Sequence, residues 1–207
     1  AAQGDLRYGK MPANVFDVYL KLIAYRNVPI DLNHGHQQTL VGMTTFEVIH
    51  EDVINELTQM YPLIKNLVKD DQAIIEAGFK KWAENIIANG VPHNNWDLFQ
   101  ADFIVKIALV LQDDQAYADG KGKQYYLDYV VNQNSIRQWS VNKLIDFGFD
   151  ARSKTWYESP GYSTTVLGLL GEFSNMLDEK AGIDLFQKCP ILVDAVKNSA
   201  EYLFPNR

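Results

Sequence analysis

The stretch that decides the fold is Trp96-Asp-Leu-Phe-Gln-Ala-Asp-Phe-Ile-Val-Lys-Ile-Ala-Leu-Val-Leu111. Wound as a helix it is apolar on most of its circumference, the pattern of a helix buried between layers of other helices. Its longest apolar run, Phe103 to Leu111, is interrupted by Lys106. That run falls well short of the roughly 18 to 20 residues needed to cross a bilayer, so a soluble protein is expected.

The same periodicity extends on both sides. Upstream, Asp71 to Ala88 places Ile75, Phe79, Trp82 and Ile86 on one face and stops at Asn89-Gly90. Gln37 to Met60 carries Leu40, Met43, Phe46, Ile49, Val53 and Leu57 at steps of three and four, with Pro62 closing it. Pro12 opens a first helix to about Arg26, with Phe16, Tyr19, Leu20 and Ile23 on a shared face. Downstream, Gly120 and Gly122 break the pattern before Tyr125 to Asn132, and Ile136 to Phe147 is helical again. A long helix spans Ser163 to Glu179, and a last one Ile183 to Leu203, where Pro190 marks a kink or a late start. Alternating strand pattern is nearly absent, with Thr155 to Glu158 the one extended piece.

About eight amphipathic helices joined by short loops predict an all-α fold of stacked antiparallel hairpins, an incomplete α/α toroid or a helical array. No linker, low-complexity tract or compositional break divides the chain, so residues 1–207 form a single domain. No tetratricopeptide or ankyrin repeat is visible, which favours the toroid over a solenoid. With 47% apolar residues the chain can build a real core. The net charge of −7 argues against a broad basic face for nucleic acid or an anionic membrane. Cys189 is the single cysteine, so no internal disulfide is possible. The N-terminal Ala-Ala-Gln-Gly-Asp lacks the blocks of a signal peptide, as would a mature end left after cleavage. Nothing in the sequence sets the oligomeric state.

Three segments that precede helices are richer in polar and aromatic groups than a connection requires: residues 31–38, 92–97 and 154–163. In the first, Gly35 can supply a turn and Gln37 start a helix, or Asn33, His34 and His36 can line a polar cleft. Two histidines two apart suggest a metal, but no cysteine and no third ligand accompany them, so neither metal nor cofactor is expected. In the second, Asn94 or Asn95 can cap the following helix. Capping leaves His93, the second asparagine and Trp96 unexplained, a set suited to hydrogen-bonding and stacking against a sugar. An asparagine amide can also hold a carboxylate without giving up a proton. In the third, Trp156 and Tyr157 are core anchors or stacking platforms, Glu158 is a solvated acid, a partner of the helix N-terminus or a group that orients its neighbours, and Tyr162 stands at a helix start, where negative charge is favoured. Successive hairpins put the first two segments at one end of the bundle. The third joins them only if one middle helix is short.

Asn95-Trp96 opening a helix, followed about 65 residues later by Trp156-Tyr-Glu-Ser-Pro-Gly-Tyr162 opening another, resembles the helical domain of heparinase II/III-like and alginate-lyase-like polysaccharide lyases. Asn33-His34-Gly35 is similar to the Asn-His pair that some of these lyases hold near the substrate carboxylate. The resemblance covers about residues 30–207. It implies an α/α toroid followed by a β-sandwich that this chain lacks, and a periplasmic or secreted bacterial protein. His34 lies 128 residues before Tyr162, farther than the family's spacing, so Asn94-Asn95 is the better match to its charge-neutralising asparagine. The implied activity is β-elimination on a uronic-acid-containing polysaccharide or oligosaccharide. Catalysis would fall to Asn95 and His34 at the carboxylate and Tyr162 as base or acid. Asn33, His36, Asn94, Trp96, Trp156, Tyr157 and Glu158 would bind substrate. Two other readings stand beside it: an α/α-barrel glycoside hydrolase using Asp97 and Glu158 as its two carboxylates, and a non-catalytic glycan-binding helical module.

Overall fold

The computed structural model describes residues 6–25, 30–31, 38–39, 48–68 and 72–203, and among these the fold is all-α. The helices are α1 (Leu6–Tyr25), α2 (Val48–Ile64), α3 (Gln72–Asn89), α4 (Asn95–Val110), α5 (Lys123–Asn132), α6 (Val141–Gly148), α7 (Pro160–Ala181), α8 (Leu185–Lys188) and α9 (Ile191–Leu203). One antiparallel pairing of two residues each, β1 (Ile30–Asp31) with β2 (Gln38–Thr39), is the only ladder described. No helix among the described residues is long and apolar enough to cross a membrane.

The stretch that opened the reading, α4, is the centre of the molecule. It packs against α2, α3, α5, α6 and α7, and Leu98, Ala101, Phe103, Ile104, Val105, Ile107 and Ala108 on its successive faces are all buried. Asn94 starts it: its side-chain oxygen accepts the Trp96 N–H at 2.9 Å. A second cluster joins α1, α2 and α3 through Phe16, Tyr61 and Phe79, with ring centroids 5.5 to 6.1 Å apart.

Several boundaries differ from the sequence reading for physical reasons. Pro12 lies inside α1, and Pro62 lies inside α2, which runs on to Ile64 because Tyr61 and Ile64 are buried on either side of the proline. Of the expected helix from Gln37, Gln38 and Thr39 pair as strand, and α2 begins at Val48. The segment expected as one helix from Ile136 begins instead at Val141, capped by Ser140, which accepts the Lys143 N–H at 3.2 Å. Ile136 is 86% exposed in the preceding loop. Pro190 marks a late start, separating α8 from α9. Ser159 caps α7 with Pro160 in its first turn, three residues ahead of the expected start at Ser163. The Gly90 stop arises from close approach: a Cβ there would stand 2.5 Å from the Arg137 carbonyl oxygen.

Candidate functional site

The site grows from the N-terminus of α4. Asp97, in the first turn, is completely buried. Its carboxylate accepts the His93 N–H at 3.1 Å, the Trp139 N–H at 3.2 Å and the side-chain amide of Gln138. Gln138 in turn accepts from Gln100 Nε2 at 2.7 Å, and Gln100 Oε1 accepts the Val91 N–H at 2.8 Å. This buried chain of amides and one acid locks the loop before α4 to the loop before α6. Burial pushes the Asp97 carboxyl up to about 7, and the His93 and Trp139 N–H groups and Lys143 oppose that rise.

Above this network lies an aromatic face. His93, held at φ 75°, places its ring 3.8 Å from that of Trp139, tilted by 41°, and 6.3 Å from Phe147. Phe147 meets Trp139 edge-on at 5.3 Å and Tyr157 at 5.4 Å, and the Lys143 ammonium sits 3.6 Å over the Trp139 ring. Burial, then the nearby Lys143 charge, lowers the His93 imidazole below its ordinary value, so it is neutral at neutral pH.

The third segment returns to the second. A short hairpin after α6 pairs Phe149 with Trp156, and the Tyr157 N–H donates to the Gly148 carbonyl at 2.9 Å. Trp156 is buried against Gly148, where a Cβ would stand 1.9 Å from the indole ring. Its Nε1–H donates to a Glu158 carboxylate oxygen at 2.6 Å. The Tyr157 hydroxyl donates to the His93 carbonyl, tying the two segments together. Burial and the Glu158 charge raise the Tyr157 phenol, which therefore stays a donor. The middle helices that permit this return are short, 10 residues in α5 and 8 in α6.

The remaining expected residues are placed as follows. Tyr162 is in the first turn of α7, 50% exposed, with its N–H donated to the Ser159 side chain. Asn95 is 7% exposed at the start of α4, Asn94 is spent as the cap, and Trp96 packs on Phe99 at 6.2 Å. Trp156 is a core anchor whose ring is covered by Gly148, Phe149 and Tyr157. Asn33, His34 and His36 lie outside the described residues. Sequence reasoning missed Trp139, Phe147 and Lys143. Their signal was Ser140 followed by Val141, Leu144 and Ile145, a cap and an apolar face that place Trp139 in a fourth loop preceding a helix. Among the described residues no cluster of three or more His, Cys, Asp or Glu side chains is arranged to hold a metal ion. Comparison with protein families, with curated proteins and with solved structures found no match.

Proposed function

We propose that the chain is the helical domain of a polysaccharide lyase that cleaves uronic-acid-containing glycans by β-elimination. The observation that carries the reading is the Tyr157 to His93 hydrogen bond, which joins the two segments on which the family resemblance depends. The finer architecture, an incomplete α/α toroid, belongs to the same proposal. It is supported by the pattern of neighbours: α2, α4 and α6 pack in series, α1 packs on α3, α3 on α4, α4 on α5, and α5 on α6.

The hard step in β-elimination is removing a carbon-bound proton next to a carboxylate, which requires neutralising the charge that spreads onto that carboxylate. Asn95, with His34, supplies hydrogen-bond donors to the carboxylate. Tyr162, exposed at the head of α7, exchanges the proton, as base toward the sugar or as acid toward the leaving oxygen. The aromatic face of His93, Trp139, Phe147 and Tyr157 gives the sugar ring a surface to lie on, and Lys143 places one cation beside it. No metal or cofactor enters this scheme, and secretion or a periplasmic location goes with such a substrate.

The hydrolase reading is the weaker one because Asp97, one of its two carboxylates, has no exposed surface and three donors already bound to it. The test is turnover of a panel of uronate polymers followed by the ultraviolet absorbance of the unsaturated product. Tyr162→Phe is expected to lower the rate by about 10²–10⁴-fold. Full activity in that variant overturns the assignment. Oligosaccharide binding without product from any polymer in the panel favours the non-catalytic module.

A further inference from the structure

We propose that a groove of about 400 Å³ between α5 and the end of α7 is a second binding site, for a carboxylated sugar chain. Three lysines from three helices line it: Lys123 opens α5, Lys180 lies in the last turn of α7, and Lys188 ends α8. Lys180 and Lys188 stand where helix C-termini favour cations, and that alone would account for them. Lys123 does not fit that account, because it puts a positive charge at the positive end of α5. The Asp114 carboxylate already serves that end, accepting the Gly122 and Tyr125 N–H groups at 3.0 Å each, so what points to an anionic ligand is the convergence of three cations on one groove. Among the described residues none of the three makes an ion pair with a carboxylate.

One acid, Asp128, shares the lining: its two oxygens accept from Asn132 at 2.8 Å and Gln133 at 2.7 Å, these bonds and the Lys188 charge keep it ionised, and the three lysines still outnumber it. The floor is apolar, formed by Leu127 and Val131. A cationic rim over an apolar floor matches a pyranose ring, which presents a C–H face below and a carboxylate at its edge. The groove is not the site described above. Lys180 lies 18 residues beyond Tyr162 on the same helix, about 27 Å at the helical rise. A chain of several sugars would span the two, with the groove holding a polyanion on a protein that is otherwise acidic.

The experiment is calorimetric titration of the protein with a size-defined alginate oligosaccharide, with a neutral malto-oligosaccharide and inorganic sulfate as comparisons. The alginate oligosaccharide is expected to bind and to weaken steeply as salt is raised. Lys123→Gln with Lys180→Gln and Lys188→Gln is expected to weaken binding at least tenfold while the circular dichroism spectrum is unchanged. If that triple variant does not fold, protection of the same three lysines from acetylation by the oligosaccharide, in the wild-type protein, replaces it. Unchanged affinity, absence of protection, or equal binding of the neutral sugar overturns the proposal. Equal binding of sulfate overturns the sugar assignment. The groove rests on binding alone, so loss of turnover in Tyr162→Phe with lysine-dependent binding intact leaves it standing.

Discussion

Replacing Asp97 by asparagine converts a buried, half-ionised acid into a fixed neutral amide, and the pH dependence of stability reports the difference. In the folded protein the carboxyl is pushed from an ordinary 3.8 to about 7, so between those values the native state holds a proton that the unfolded state has released. A folded pKa above the unfolded one contributes stability that is complete below the lower value and is lost as pH rises through the higher. At 1.36 kcal/mol for each unit, the loss attached to Asp97 reaches about 4 kcal/mol by pH 8. For a domain of this size that is roughly 10 °C in melting temperature. The variant loses this slope. Its side-chain amide keeps one acceptor oxygen but turns an N–H toward a backbone donor, from His93 or Trp139, at a cost of about 1–3 kcal/mol. Urea denaturation at half-unit steps from pH 4.5 to 8.5 is therefore expected to show Asp97→Asn the less stable protein at the acid end and the more stable one at the alkaline end, the curves crossing because the Asp97 loss exceeds the cost of the amide. Exposed acids whose pKa values are lowered, such as Asp119 and Asp128, change both proteins alike and cancel in the comparison. Parallel curves would refute the reasoning, because they would mean that Asp97 does not change protonation on folding.

Gly148→Ala forces a methyl group into the Trp156 ring and is expected to cost at least about 1–3 kcal/mol in chemical denaturation, with indole fluorescence shifted to longer wavelength. A loss below about 0.5 kcal/mol would show that the hairpin yields without strain. Tyr157→Phe removes the hydroxyl that ties the third segment to His93 and is expected to cost about 1 kcal/mol, read by the same denaturation. An unchanged midpoint would mean that the contact is already replaced by water in solution. Trp139→Ala strips the ring that His93, Phe147 and Lys143 all touch, and it is expected to weaken oligosaccharide binding at the aromatic face by about tenfold or more while leaving the groove at Lys123 unaffected.

What the sequence made legible follows the range of each interaction. Helices α3, α4 and α7 were readable to within about three residues because their apolar spacing and caps are local, as Asn94 and Ser159 illustrate. Pro62 misled because the burial of Tyr61 and Ile64, set by the partner ring of Phe16, outweighs the lost backbone bond. The excess of polar and aromatic groups in residues 92–97 and 156–162 was legible, and the Tyr157 hydroxyl donated to the His93 carbonyl ties the two segments together. The use made of each residue was not. Asp97 reads from sequence as an acid in a helix first turn, and only its contacts with residues 138 and 139, about forty positions later, turn it into a buried anchor. Trp139 escaped for the same reason: its neighbour His93 is distant in sequence, and its own loop was read as helix.

The position of α4 also bears on how the molecule comes apart. It takes α2 and α3 from one part of the chain and α5, α6 and α7 from the other, so withdrawing it removes the surface the two parts share, while α1, α2 and α3 keep the ring contacts of Phe16, Tyr61 and Phe79. A chain cut in the exposed stretch around Asp119 is expected to leave a first piece that keeps α4 against α2 and α3, and a second piece that regains its structure only on mixing, because the helix carried by the first completes the interior of the second.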